Sequence, residues 1–131
     1  MEEIIELFKK DKFANSCGIQ IEEFHPGYAK CSMEVTEDHL NGIGTLMGGA
    51  LFTLADFTFS VAANSYGTIG VSLNAFITYL RKCTGGKVTA IATEVSRGNR
   101  TGTYRVCVND EDGNQIAEVT GTCYFKKAPV K

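Results

Sequence analysis

The stretch Ala50-Leu-Phe-Thr-Leu-Ala-Asp-Phe-Thr-Phe-Ser-Val-Ala-Ala63 decides how this chain of 131 residues folds. It is apolar on nearly every face of a helix, which is typical of a helix buried inside a domain. We predict one long central helix over about residues 49–65. Asp56 is the only charged residue between His39 and Leu80, and a carboxylate in such surroundings is costly to desolvate. We therefore interpret Asp56 as the chemical centre of the protein.

Strand-like segments lie on both sides of the predicted helix. Two precede it, at Gly18–Phe24 and Tyr28–Thr36, after a short amphipathic helix over residues 2–12. Four follow it, separated by turn residues typical of antiparallel connections: Val71–Leu80, Lys87–Ser96, Thr103–Asn109 and Gln115–Lys126. We expect a single α+β domain over residues 1–131, in which a curved, mainly antiparallel sheet of about six strands wraps around the central helix.

Composition and charge exclude several classes of protein. The chain is 44% hydrophobic and 21% charged, as in ordinary globular proteins, and its net charge of -2 argues against a nucleic-acid partner. The acidic N-terminus does not resemble a signal peptide, and the apolar stretch is too short and polar for a membrane span. We therefore expect a cytoplasmic protein without membrane contact. Its five cysteines are interpreted as reduced thiols, and its two histidines predict no metal site.

The segment that leads into the helix carries a second chemical feature. Asn41 offers an amide donor and an acceptor in a Gly-rich loop. Gly48 and Gly49 allow a ligand to approach backbone N–H groups at a helix N-terminus, where a developing oxyanion would be stabilised. Asp56 follows two turns later, about 12 Å away by helical rise. One chain's Asp56 cannot readily serve an atom bound at its own Gly48, so we expect a site shared by two subunits.

These residues also have purely structural interpretations. Asp56 could hydrogen-bond local backbone, Asn41 could simply stabilise a turn, and the two glycines could serve helix entry alone. His39 is more typical of a loop or surface histidine than of a catalytic one. These alternatives stay open at the level of the sequence.

The same residues carry a resemblance to a known family. The family pattern H-x-N-x-x-G-x-x-H-G-G, followed by Ala-Asp in the helix, is matched by His39, Asn41, Gly44, Gly48, Gly49, Ala55 and Asp56. From about residue 15 to 125 the chain resembles the hotdog-fold acyl-CoA thioesterases of the 4-hydroxybenzoyl-CoA thioesterase superfamily, in its phenylacetate-pathway branch. The stretch Val71–Arg81 resembles the family's strand that ends in a Leu-Arg pair.

The resemblance implies an enzyme that hydrolyses an acyl-CoA thioester without a metal or an organic cofactor. Asp56 would be the general base or the nucleophile, the Gly48 N–H would form the oxyanion hole, and Asn41 of the facing subunit would position water or the carbonyl. The assembly would be a homodimer or a homotetramer. Residues expected to contact the substrate are Met47, Gly49, Asn74, Arg81 and Arg97. With Lys82 and Arg100, these arginines either hold the phosphates of coenzyme A or form a solvated face.

One position departs from the family pattern, because Met47 stands where the family has a histidine. A thioether cannot hydrogen-bond usefully to a carbonyl or an amide. This departure favours, as the alternative from another class, a non-catalytic acyl-CoA-binding or sensing domain. A hotdog hydratase is a second enzymatic alternative, and the absence of a histidine at Met47 counts against it.

Overall fold

The computed structural model describes residues 2–130, which form three α-helices, one short 3₁₀ helix and six β-strands. The helices are α1 (Glu2–Lys9), α2 (Lys12–Ser16), the 3₁₀ helix (Glu37–His39) and α3 (Gly48–Asn64). The strands are β1 (Gln20–His25), β2 (Tyr28–Glu34), β3 (Thr68–Tyr79), β4 (Lys87–Arg97), β5 (Thr101–Asn109) and β6 (Gln115–Pro129). The strand ends agree with the prediction to within three residues.

The six strands form one antiparallel sheet in the order β1-β2-β4-β5-β6-β3. α3 contacts all six of them. Six strands cover roughly 24 Å at their usual spacing, about twice the diameter of a helix, so the sheet has to curve around α3 to reach it everywhere. The predicted α+β architecture, a curved antiparallel sheet around one central helix, is confirmed. No helix among residues 2–130 is long and apolar enough to cross a bilayer.

Aromatic side chains fix α3 between the sheet and the N-terminal helices. Phe59 packs against Tyr104 of β5, with ring centroids 5.6 Å apart, and Phe57 meets Phe8 of α1 edge-on at 5.3 Å. A Cβ atom at Gly121 of β6 would lie 2.9 Å from the Phe59 ring, so that strand can pass the helix closely only with glycine there. These contacts fix the position of α3, and therefore of Asp56, relative to the sheet.

One face of α3 is partly accessible to solvent, whereas the sequence predicts a buried helix. Thr53, Asp56 and Ser60 are half-buried and Gly49 is exposed. Residues at these spacings share one face of a helix. The chain therefore buries the side of α3 that faces the sheet and leaves open the side that carries its carboxylate.

The N-terminal segment, predicted as one helix over residues 2–12, forms two. The Asn15 side chain donates to the carbonyl oxygens of Phe8 (3.0 Å) and Asp11 (2.7 Å). An amide from α2 thus satisfies a carbonyl at the end of α1, which lets the first helix stop there. The break places Asp11 at the junction of the two helices, beside α3.

The edge strand β3 exposes large apolar side chains. Leu73, Phe76 and Tyr79 are 58%, 74% and 53% exposed. Edge strands of soluble proteins are usually protected by charges, prolines or a covering element. An apolar exposed edge of this kind is typical of a surface that another chain covers.

Candidate active site

The start of α3 presents two free backbone N–H groups. Its N-cap residue is Met47, whose side chain makes no capping hydrogen bond, whereas serine, threonine, aspartate or asparagine usually supplies one there. Within residues 2–130 the N–H groups of Gly48 and Gly49 have no hydrogen-bond partner. The partial positive charge of a helix of 17 residues therefore faces an unfilled acceptor position.

Gly48 is held in place by the edge strand. The Tyr79 hydroxyl donates to the Gly48 carbonyl oxygen at 3.1 Å, and a Cβ atom at Gly48 would lie 2.9 Å from that hydroxyl. A Cβ atom at Gly49 would meet nothing within 4 Å. An alanine at Gly48 would therefore displace the Tyr79 hydroxyl, which ends an exposed side chain, whereas an alanine at Gly49 would displace nothing.

His39 has a structural role. The Thr36 N–H donates to its Nδ1 at 3.0 Å, so Nε2 carries the hydrogen and donates to the Cys17 carbonyl oxygen at 2.9 Å. The Met47 N–H donates to the His39 carbonyl oxygen at 2.8 Å. His39 thus joins the loop before α3 to the end of α2. It is buried, where the sequence favoured a loop or surface position.

Asn41 stabilises the Gly-rich turn of its own chain. Its Oδ1 accepts from the N–H groups of Ile43 and Thr45, each at 3.1 Å, and its Nδ2 donates to Thr45 Oγ1 at 2.8 Å. The turn interpretation accounts for all of these bonds. The side chain is exposed, and its role toward a facing subunit stays a prediction.

Asp56 lies in a cavity of about 320 Å³ beside Asp11, Phe13 and Thr53. Its carboxylate takes part in none of the hydrogen bonds or ion pairs found within residues 2–130, so the local capping interpretation has no support. Burial raises the pKa of Asp56, and the nearby charge of Asp11 raises it further. A half-buried carboxylate without a partner and with a raised pKa is typical of a functional site.

A larger groove of about 830 Å³ opens beside Met47 and Gly49. Phe13 and Thr53 line both this helix-start groove and the Asp56 cavity, so the two spaces are neighbours. The groove has a volume typical of small-molecule sites. Sequence reasoning missed the contribution of α2, although an isolated phenylalanine in the polar stretch around Asp11 was the available signal.

Two of the predicted substrate-binding residues lie on or after the edge strand. Asn74 is exposed on β3, next to an irregularity in its pairing with β6. Arg81 is exposed directly after Leu80, and its side chain forms no ion pair within residues 2–130. Neither residue lines the groove or the Asp56 cavity of its own chain.

Arg97 is held by contacts within the chain. Its guanidinium lies 3.7 Å from the centroid of the Tyr66 ring and 4.0 Å from that of Phe125. Glu94 pairs with it at 3.9 Å and also accepts hydrogen bonds from the hydroxyls of Tyr66 and Tyr104. These contacts give Arg97 a packing role, because cation–π stacking covers its guanidinium. Its contact with coenzyme A phosphates stays a prediction without support from this arrangement.

The part of the chain that the structure describes holds no group of three or more His, Cys, Asp or Glu side chains arranged to bind a metal ion. Five cysteines are present as free thiols. Burial raises the pKa of the Cys31 thiol to about 12. Such a thiol is un-ionised near neutral pH and is a poor nucleophile.

Comparisons with known proteins show the family to which this chain belongs. The family model of the Thioesterase superfamily matches residues 43–117. The acyl-coenzyme A thioesterase PaaI of Escherichia coli is 34% identical over 116 residues, which make up 88% of this chain and 83% of that protein. A solved structure of E. coli PaaI, from the phenylacetic acid degradation operon, has a TM-score of 0.94 at 30% identity, covering 99% of this chain and 95% of that one.

A second relative was solved with a ligand. The structure of a hypothetical thioesterase of Streptococcus pneumoniae with coenzyme A has a TM-score of 0.89 at 26% identity, covering 95% of this chain and 98% of that chain. The family match includes Gly48, Gly49 and Asp56. This chain therefore belongs to the thioesterase superfamily, within the phenylacetate-pathway branch of its hotdog-fold enzymes.

Proposed function

We propose that this enzyme hydrolyses acyl-CoA thioesters to free acids and coenzyme A in the cytoplasm, without a metal or organic cofactor. The observation that carries the proposal concerns the Gly48 N–H at the start of α3 and the Asp56 carboxylate two turns along the same helix. Neither group has a hydrogen-bond or ion-pair partner within residues 2–130. The name of E. coli PaaI and the coenzyme A in the S. pneumoniae structure support this substrate class.

The Gly48 N–H donates to the carbonyl oxygen of the thioester. As the carbonyl carbon is attacked, negative charge develops on that oxygen, and the N–H and the helix dipole stabilise it. Asp56 either removes a proton from the attacking water or attacks the carbon itself, in which case water hydrolyses the resulting anhydride. The carbon–sulfur bond breaks, and the thiolate of coenzyme A takes up a proton. Both routes require ionised Asp56, and its raised pKa makes it a stronger base.

In this proposal, the Gly48 and the Asp56 that act on one thioester come from two different subunits. Helical rise separates Gly48 from Asp56 by about 12 Å, too far for both to act on one carbonyl group. The exposed apolar side chains of β3, with Phe76 at the centre, supply a surface for a homodimer. The exposed Asn41 of the facing subunit would then position water or the carbonyl, and two such dimers could associate as a tetramer.

Coenzyme A is assigned to the exposed end of β3. Arg81 is the candidate for its phosphates, because its charge is exposed and unpaired within the described chain. Asn74 lies on the same strand and is the candidate for a polar contact nearer the reacting group. Arg100 is exposed at the far hairpin and is a weaker candidate than Arg81.

The test is a thiol-release assay on the purified enzyme with a panel of straight-chain and aromatic acyl-CoAs, in the presence of a chelator. We expect release of free coenzyme A with at least one member of the panel. Binding of acyl-CoAs without turnover across the panel would instead favour the acyl-CoA-binding or sensing domain, the alternative that Met47 in the histidine position supports.

A further inference from the structure

The rim of the helix-start groove carries two carboxylates. Glu34, at the end of β2, and Asp38, in the 3₁₀ helix, both line it and are exposed. Neither side chain forms an ion pair within residues 2–130. No lysine or arginine lines the groove. His39 does line it, but both of its ring nitrogens hydrogen-bond to backbone groups.

The groove is also lined by two large apolar side chains that are exposed, Phe13 and Met47. Phe13 is 70% exposed and Met47 is 54% exposed, although both are large apolar side chains. Ala50, in the first turn of α3, also lines the groove. Covering such side chains with an apolar group is favourable by roughly 25 cal/mol for each Å² removed from water.

The two ends of an acyl-CoA differ in charge, and the carboxylates of this groove favour the uncharged end. The nucleotide end carries phosphates, which the acidic rim would repel. The acyl end is apolar in most acyl-CoAs and joins the thioester carbonyl, which in the proposed reaction lies at the Gly48 N–H beside Gly49. The groove begins at this same helix start.

We propose that the helix-start groove binds the acyl group, with Phe13 and Met47 as its apolar contacts, and that Glu34 and Asp38 restrict it to acyl groups without a negative charge. The inference rests on the proposed function and adds a substrate class to it. The enzyme accepts uncharged alkanoyl or aryl acyl groups and discriminates against those that end in a carboxylate. Like charges placed close together at a binding site suppress the wrong partner.

The first experiment compares two ligands of equal chain length by calorimetry. The non-hydrolysable thioethers S-hexyl-CoA and S-(5-carboxypentyl)-CoA differ only in a terminal carboxylate. We expect the wild-type enzyme to bind the hexyl compound at least about tenfold more tightly. In the double variant Glu34→Gln/Asp38→Asn the ratio should shrink to near one. The matched control, Glu2→Gln/Glu23→Gln, removes two exposed charges on α1 and β1 that line neither the groove nor the Asp56 cavity, and it should leave the ratio unchanged.

A second measurement tests the apolar contacts. Phe13→Ala should weaken binding of S-hexyl-CoA severalfold and leave binding of coenzyme A, which has no acyl group, unchanged. Val95→Ala is the control, because Val95 is 64% exposed on β4 and lines neither the groove nor the Asp56 cavity. Equal weakening of both ligands, or of neither, would overturn the assignment.

The outcomes separate this inference from the proposed function. Three results would overturn the acyl-binding role of the helix-start groove, whatever the thiol-release assay shows. They are equal affinity of the wild-type enzyme for the two thioethers, an affinity ratio that is unchanged in Glu34→Gln/Asp38→Asn, and no binding of either thioether. The expected charge discrimination without thiol release on any acyl-CoA would support the acyl groove and overturn hydrolysis.

Discussion

Asp11 and Asp56 face the same cavity, although they come from different helices and lie far apart in the sequence. Asp11 occupies the N-cap position of α2, yet its side chain makes no capping hydrogen bond. Burial raises the pKa of Asp11, and its charge contributes to the raised pKa of Asp56. Lys12 also lines the cavity and does not pair with either carboxylate.

This relationship predicts the effect of Asp11→Asn on the pH profile of the enzyme. The substitution removes a neighbouring negative charge, so the pKa of Asp56 should fall. Since the mechanism needs ionised Asp56, the acid limb of kcat/KM should move to lower pH. The measurement is kcat/KM against pH for wild type and variant. Asp112→Asn, an exposed carboxylate on a distant hairpin, serves as the control and should not move the limb.

Asp56→Asn should lower turnover by two or more orders of magnitude, which corresponds to about 3 kcal/mol of barrier. The amide keeps the shape of the side chain and removes its charge. Circular dichroism should show an unchanged fold. Near-normal turnover in the variant would remove Asp56 from the mechanism.

The same variant should change the pH dependence of stability. The pKa of Asp56 is raised in the folded chain, so between its ordinary value and that raised value the folded state binds more protons than the unfolded state. The free energy of unfolding therefore falls as pH rises through this window, and the loss persists at neutral pH. Asp56→Asn removes this contribution, and its thermal midpoint at neutral pH should exceed that of wild type. At a pH below the window, protonated Asp56 no longer opposes folding and this advantage should disappear.

Gly48→Ala and Gly49→Ala should differ although they change neighbouring positions in the same way. A Cβ atom at Gly48 meets the Tyr79 hydroxyl at 2.9 Å, whereas at Gly49 it meets nothing within 4 Å. Gly48→Ala should displace the exposed Tyr79 side chain and break its hydrogen bond to the Gly48 carbonyl, at a cost of about 0.5–1.5 kcal/mol of stability, and it should lower kcat by moving the N–H. Gly49→Ala should be neutral or slightly stabilising. Chemical denaturation of both variants checks this, and equal losses would contradict the Tyr79 contact.

Met47→His restores the side chain that the family pattern has at this position. We expect an unchanged fold and a severalfold gain in kcat, because a ring nitrogen can hydrogen-bond in the transition state where a thioether cannot. Steady-state kinetics on one good substrate measure the effect. A loss of activity would show that the enzyme uses the Met47 thioether as an apolar contact, in line with the acyl groove.

Phe76→Lys should dissociate the proposed dimer and abolish activity. The side chain is 74% exposed on β3, and a lysine on an edge strand opposes pairing with another chain. Sedimentation velocity of wild type, Phe76→Lys and the control Val95→Lys, at a position 64% exposed on β4, measures the assembly state. A monomeric variant with normal turnover would place a complete site in one chain.

Much of the fold was predictable because the pattern of the sequence is consistent along its length. The apolar run around Asp56 specified the helix, and turn residues between alternating segments specified the strands. The break between α1 and α2 was not predictable, because it depends on the Asn15 side chain reaching back to Phe8. Helical periodicity alone continues across such a break.

The residues of the candidate site were predictable where they belong to a local sequence pattern. They were not predictable where their environment depends on tertiary contacts. Gly48 and Asp56 could be proposed as site residues from the sequence because a glycine pair at a helix start and a lone carboxylate are local features. Arg97 was chosen as a phosphate ligand from its position at a strand end. Its stacking between Tyr66 and Phe125 brings together segments far apart in the sequence. The neighbours of Asp56 on α2 are equally remote along the chain.

The hydrogen bond from Tyr79 to the Gly48 carbonyl has a consequence for how the enzyme behaves on dilution. It ties the start of the catalytic helix to the strand that carries the proposed contact between subunits. Preorganisation of the oxyanion donor and occupation of that strand are then coupled, so each favours the other. Specific activity should therefore depend on enzyme concentration. It should fall when the enzyme is diluted to concentrations near the dissociation constant of the dimer. Saturating substrate should draw the subunits together again.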